Sequence, residues 1–259
     1  MLKIGVFDSG LGGLTVVQAL NQVIKGAELF YIADTKNAPY GEKTSEQILQ
    51  YSLDISNYFI ETYQIDALVV ACNTATSVAI NILRDKYPHL IIVGTEPAIK
   101  PAIEQTCTGK VGVLATPATL RGEKYQALVK TLSRTKKVEI FEQACPGLVQ
   151  NIEKGTLQSK ESLAMLETWL SPMRKADVDT IVLGCTHYPL ASKVIKDVMQ
   201  REVVLLDSSR AIAQRLSTLL LKIGHTNEGV LISKFYTTGS IDEAFVYKLV
   251  KSPIELIVL

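Results

Sequence analysis

Two stretches of the chain carry an apolar run straight into a cysteine: "LVVACNTATS" (68–77), with Cys72, and "IVLGCTHYPL" (181–190), with Cys185. Small polar residues follow each thiol, and in the second stretch His187 stands two residues beyond it. A cysteine so placed is a base, a nucleophile, a metal ligand or a small buried hydrophobe. Disulfide exchange usually uses C-x-x-C, which this chain lacks. C-x-H with one distant cysteine also misses the usual C-x₂₋₄-C spacing of a zinc site. Nucleophilic catalysis needs only one thiol and a base. Two thiols in matched settings suit a reaction that is itself nearly symmetric, and inversion at a carbon is one. One group takes a proton from one face, the other returns a proton to the opposite face, and the reverse reaction swaps the roles.

The positioning elements follow from hydrophobic periodicity. "KIGVFDSG" (3–10) reads as a strand that stops at Asp8, and "LTVVQALNQVI" (14–24) as a helix. "AELFYIAD" (27–34) is a strand, and 45–63 a long helix with Ser45 as its N-cap. "DALVVAC" (66–72) and "HLIIVG" (89–94) are further strands. Strands alternating with helices imply parallel pairing through right-handed crossovers. In such sheets ligands bind at the carboxyl ends of the strands, where Cys72 and Cys185 sit. The helix N-termini that follow offer unpaired N–H groups and a positive dipole end.

The grammar repeats. "KVGVLATPATL" (110–120) echoes "KIGVFDSGLGGL" at an offset of 107 residues. "DTIVLGCTH" (179–187) echoes "DALVVACNT" (66–74), and "VVLLDSSRAIA" (203–213) echoes "LIIVGTEPAIK" (90–100), both at 113. In the middle pair an aspartate, Asp66 or Asp179, precedes the cysteine by six positions. The expectation is an α/β protein of two similar doubly wound parallel-sheet domains related by a pseudo-two-fold axis. Residues 1–97 form the first, completed by 208–259, and 98–207 the second, with the site in the cleft between them.

Composition narrows the function classes. At 259 residues and 47% hydrophobic, the chain can bury one large core or two compact ones. Its 27 basic and 26 acidic residues give a net charge of +1, so neither nucleic acid nor an acidic membrane is an expected partner. No apolar run reaches the roughly 18 residues of a membrane helix. "MLKIGVFDSG" lacks the regions of a signal peptide, so a cytoplasmic, reducing location and free thiols are expected. Cys107 and Cys145 read as small buried hydrophobes, and His89 and His225 as structural or solvent-exposed. The glycine-rich "DSGLGG" (8–13) is neither Walker A nor a dinucleotide fingerprint. It is a phosphate cradle or a tight strand–helix turn, and it adds the carboxylate of Asp8 at a strand end. In "APYGEKT" (38–44), Tyr40 and Gly41 offer backbone donors, or form an ordinary turn.

"DSGLGG", "PYG", "ACNTAT" and "LGCTHYPL", in this order and spacing, resemble the motifs of glutamate racemases, in the cofactor-independent aspartate/glutamate racemase superfamily. The resemblance runs from Asp8 to at least Ser209. It implies two α/β domains and interconversion of L- and D-glutamate without pyridoxal phosphate or metal, supplying D-glutamate for peptidoglycan. It makes Cys72 and Cys185 the two bases, with Asp8 and His187 as helpers beside them. Ser9, Tyr40, Gly41, Asn73, Thr74 and Thr186 match substrate-contacting positions, joined by Thr116 and Thr119 of "ATPATL". Asp8 and His187 are also expected at the substrate. Glu153 matches an acidic residue near the site, although Gln150-Asn151 stands where apolar or proline-containing pairs are frequent. The implied partner is a small molecule, glutamate, and the expected assembly a homodimer. Aspartate racemases share the paired cysteines, but "CTHYPL" is closer to the glutamate enzymes. The rival from another class is a two-domain amino-acid binding protein without turnover, which would not need two thiols in register.

Overall fold

The computed structural model describes residues 1–135, 138–241, 246, 249 and 256–259. The chain divides into two compact units, Met1–Thr95 with Ser209–Leu259, and Glu96–Ser208.

The first unit runs β1 (Leu2–Asp8), α1 (Leu14–Val23), β2 (Ala27–Ala33), α2 (Ser45–Tyr58), β3 (Ala67–Val70), α3 (Asn73–Lys86) and β4 (Ile91–Gly94). In the second unit come α4 (Ile99–Gln105), β5 (Lys110–Ala115), α5 (Pro117–Arg121), α6 (Glu123–Thr135), β6 (Glu139–Ala144), α7 (Leu148–Glu153), α8 (Lys160–Lys175), β7 (Thr180–Gly184), α9 (Ser192–Met199) and β8 (Val204–Leu206). The chain then returns to the first unit with α10 (Ser209–Lys222), β9 (Leu231–Thr237) and β10 (Leu256–Val258).

The expected α/β class, with two similar parallel sheets, holds. The first sheet has the order β10-β9-β2-β1-β3-β4 and the second β6-β5-β7-β8. Among the described residues all the strand pairs are parallel. The repeat seen in the sequence is a repeat of register. Ile4 pairs with Ala67 and Val111 with Thr180, while Ala67 pairs with Ile91 and Thr180 with Val204. Each pair is carried onto its counterpart by the offsets of 107 and 113.

Both faces of the first sheet are covered, so its strands read as nearly continuous apolar runs. On one face Leu14, Val17 and Leu20 of α1 and Ile212, Leu216 and Leu220 of α10 pack on Ile4, Val6 and Leu29. On the other, Ile48 and Ile55 of α2 and Ala75, Ala79 and Leu83 of α3 pack on Phe7, Phe30 and Val70. Burying one such leucine, isoleucine or valine contributes about 1.5–3 kcal/mol. A short π-helical turn, Phe59–Tyr63, follows α2 and presses Phe59 onto Gly5. A Cβ at Gly5 would sit 3.0 Å from that ring, so a larger residue there would force the ring to give way. In the second unit α4 and α6 supply Ile99, Ile103 and Tyr125 against Val111, Val113 and Val182.

Two local expectations are corrected. The N-cap of α2 is Thr44, not Ser45: Thr44 Oγ1 accepts from the Gln47 amide, and Gln47 Oε1 accepts from the Thr44 amide. This reciprocal pair satisfies two N-terminal donors at once, which a cap at Ser45 would forgo. Cys107 is exposed rather than buried, because it lies in the loop between α4 and β5. Cys145 is buried.

Candidate active site

The first unit gathers Asp8, Ser9, Tyr40, Gly41, Cys72, Asn73 and Thr74 on the segments that leave the carboxyl ends of β1, β2 and β3. Asp8 ends β1 and is fully buried. Its Oδ2 accepts from the amides of Gly10 (3.0 Å) and Gly13 (3.1 Å). "DSGLGG" is therefore a strand–helix turn whose amides are turned onto the chain's own carboxylate, which leaves the phosphate-cradle reading without those donors. A Cβ at Gly13 would meet Asp8 Cβ at 2.6 Å, so the turn closes only around glycine.

Cys72 is the N-cap of α3, and its Sγ accepts from the Ala75 amide at 3.4 Å. The N-terminal dipole and this N–H favour the thiolate over the thiol. Ser9 Oγ lies 3.7 Å from the same sulfur. Thr74 and Asn73 are buried beside it in the first turn of α3. Asn73 Nδ2 is a buried donor with no hydrogen-bond partner among the described residues. Such a group costs about 1–3 kcal/mol unless something else accepts from it. Tyr40 and Gly41 open a 3₁₀ turn, whose first N–H groups have no partner within the turn. The Tyr40 phenol is buried and is driven far above its ordinary pKa by burial, then by Asp34, with Cys72 and Asp8 adding to the effect.

The second unit gathers Thr116, Thr119, Glu153, Cys185, Thr186 and His187. Thr116 caps α5: its Oγ1 takes the Thr119 amide at 3.2 Å and lies 2.9 Å from Thr119 Oγ1. Cys185 directly follows β7. His187 Nδ1 lies 3.9 Å from Cys185 Sγ, and His187 Nε2 2.8 Å from Glu153 Oε1 at the end of α7. His187 is 2% exposed and Glu153 32%, so the carboxylate links a buried imidazole to the more open side. Thr186, between them, is also buried.

Sequence reasoning gave no place in the site to three neighbours, although it read one of them, Cys145, as a buried hydrophobe, which it is. Tyr188, fully buried, donates from its hydroxyl to the Cys145 carbonyl at 3.2 Å. Burial, then the adjacent Cys185, pushes the Cys145 thiol up, so Cys145 stays protonated and a poor nucleophile. The third is Asp34, just beyond β2. "YPL" lay within the motif already singled out, but no local signal pointed to Cys145 or Asp34.

The class that this arrangement defines is an α/β protein with one strand-end thiol in each unit, each among buried polar side chains. Residues 4–216 match the profile of the Asp/Glu/Hydantoin racemase family. The chain is 59% identical over 249 residues to the glutamate racemase of Sulfurovum sp., covering 96% of this chain and 94% of that protein. The crystal structure of glutamate racemase isoform RacE1 from Bacillus anthracis superposes with a TM-score of 0.88 at 30% identity, covering 100% of this chain and 97% of the other. The Escherichia coli glutamate racemase, in complex with L-glutamate and the activator UDP-MurNAc-ala, gives 0.82 at 30% identity, covering 99% and 97%. The chain belongs to the Asp/Glu/hydantoin racemase family and, within it, to the glutamate racemases, isomerases of an amino acid. Among the described residues, no helix is long and apolar enough to cross a membrane.

Proposed function

We propose that the chain interconverts L- and D-glutamate by a two-base mechanism, with Cys72 and Cys185 each acting on one face of the α-carbon. The observation that carries this reading is the matched placement of the two thiols. The register equivalence that carries Ala67 onto Thr180 also carries Cys72 onto Cys185. The L-glutamate bound by the Escherichia coli relative supports the choice of substrate.

Turnover starts from one thiolate and one thiol, one on each face of the substrate. The thiolate takes the α-proton, and the carbon's bonding electrons are held by the developing carbanion. The opposite thiol then delivers its own proton to the other face. One thiolate and one thiol remain, with their roles exchanged. No redox partner is needed, because no electrons leave the substrate. Asn73 Nδ2, the Thr74 and Thr186 hydroxyls and the amides of Tyr40 and Gly41 hold the carboxylates and stabilise charge as it develops. Thr116 and Thr119 add further hydroxyls for the substrate. Ser9 and Asp8 attend Cys72. His187, oriented by Glu153, attends Cys185.

The product serves as D-glutamate for peptidoglycan, made in the cytoplasm by a homodimer. Incubation with L-glutamate in deuterated water tests the chemistry. The expected result is D-glutamate carrying deuterium at the α-carbon, at a rate above that with aspartate. Faster turnover of aspartate would overturn the substrate assignment. Sedimentation equilibrium showing only monomer would overturn the homodimer.

A further inference from the structure

The Tyr40–Gly41 turn has an anchor that no motif announced. Asp34 ends up 1% exposed just beyond β2. Its Oδ2 accepts from the Tyr40 hydroxyl at 2.5 Å and from Asn37 Nδ2 at 3.0 Å. Its Oδ1 accepts from Thr238 Oγ1 at 2.6 Å and from Asn37 Nδ2 at 3.1 Å. Thr238 immediately follows β9, more than two hundred residues away, so three segments of the first unit converge on one carboxylate. Thr35 Oγ1 and Thr237 Oγ1, 2.7 Å apart, brace the same junction. The Tyr40 ring is fully buried and packs against Tyr51 at a centroid distance of 5.6 Å.

We propose that Asp34 is a positioning residue: by gripping the Tyr40 hydroxyl, with Thr238 gripping Asp34 in turn, it sets the 3₁₀ turn that presents the amides of Tyr40 and Gly41 to the substrate.

The chemistry favours this over a direct role for the phenol. A hydroxyl that donates to a carboxylate at this distance is a charge-assisted bond, about twice as strong as a neutral one. Burial and Asp34 keep the phenol protonated, so Tyr40 is a fixed donor turned onto Asp34 rather than a proton carrier. What is left for the substrate is the turn's backbone. Its orientation is set by where the ring is pinned, and a small misplacement of binding groups is costly. Asp34 acts through Tyr40 and does not itself touch the substrate.

This inference rests on the reading of Tyr40–Gly41 as a substrate-binding turn, and the test separates the two. In the full-length protein, Asp34→Asn, Tyr40→Phe, the double variant and Thr238→Val are assayed for glutamate KM and kcat. The Gly41 amide resonance is followed during a glutamate titration. The expected result is a KM raised about tenfold in Asp34→Asn and in Tyr40→Phe, the loss of one charge-assisted hydrogen bond. The kcat should change much less, the double variant should be no worse than either single one, and Thr238→Val should show a smaller rise. The Gly41 resonance should shift with glutamate in the wild type and titrate at higher concentration in the variants. Additive losses in the double variant, or native KM in a folded Asp34→Asn, would overturn the anchor while the Gly41 shift still upholds the binding turn. No Gly41 shift in the wild type would overturn the binding turn itself. If Asp34→Asn fails to fold, Tyr40→Phe decides: a native KM there removes the proposal, and a raised KM with native kcat supports it.

Discussion

His187 Nε2 stands 2.8 Å from Glu153 Oε1 although 34 residues separate them, and the other ring nitrogen faces Cys185 Sγ at 3.9 Å. The carboxylate therefore selects the ring orientation offered to the thiol. Glu153→Gln keeps the shape and removes the charge. Its expected effect is a fall in kcat of about tenfold, the low end for a charge-assisted bond because Glu153 is partly exposed. Because the two enantiomers have equal free energy, kcat/KM falls equally in both directions. The lesion shows instead as a larger primary deuterium isotope effect in the direction where Cys185 removes the proton. Equal isotope effects in both directions would detach Glu153 from that thiol.

Cys72→Ser and Cys185→Ser should each lower racemisation by about a thousandfold or more, since on the proposed two-base mechanism each removes one of two acid–base groups. Each variant should keep one-sided chemistry, such as eliminating a leaving group from a β-substituted analogue of one hand. Opposite enantiomer preferences are expected, with Cys72 serving the D form and Cys185 the L form. Full racemase activity in either variant sinks the two-base reading, and a shared preference sinks the opposed faces.

Asn73 carries a buried amide without a partner among the described residues. Asn73→Ala should leave the melting temperature unchanged or raise it, because an unsatisfied donor is removed. The same change should raise the KM for glutamate about tenfold, the loss of a hydrogen bond to a charged group. A clear drop in melting temperature with native KM would make the side chain structural instead.

Asp179 gives a pH test of stability. Burial alone would raise its carboxyl, but hydrogen bonds from Thr106 Oγ1, the amides of Thr108 and Cys107, and Thr180 Oγ1 hold it below its ordinary 3.8. A group depressed in the folded state contributes stability above its unfolded pKa and loses it as pH falls through the folded value. Asp179→Asn should therefore melt earlier than wild type at neutral pH, with the gap narrowing once the pH drops below 3.8. A gap independent of pH down to acid would mean that the carboxylate charge does not matter there.

Adding a chelator should leave racemisation unchanged, since the proposed proton transfers use only thiols and hydrogen-bond donors. Complete loss of activity on exhaustive chelation, restored by metal, would reject the two-thiol chemistry as sufficient.

Much of the architecture was legible in the one-dimensional pattern, because strands, helices and their alternation are local. β1, α1, β2 and β7 lie within a residue or two of their hydrophobic runs. The paired offsets already implied two sheets of one design. The strand-end position of both thiols could also be read from sequence, since each ends an apolar run. What the local pattern could not hold was every relation that depends on distant segments meeting. The Glu153–His187 pair, the convergence of Thr238 and Tyr40 on Asp34, and the Tyr188–Cys145 contact exist only once strands of the same sheet lie side by side. The place of β9 beside β2 is of the same kind: its register, Ala27 with Leu231, links residues some two hundred positions apart. Even the Thr44 cap, three residues from its partner, turned on which hydroxyl met the Gln47 amide, a difference of geometry rather than composition. Residue types and spacing determined which groups have the chemistry to move a proton. Tertiary packing decided which carboxylates are held by the chain's own donors, as Asp8 and Asp34 are, and left the buried Asn73 amide without a partner among the described residues.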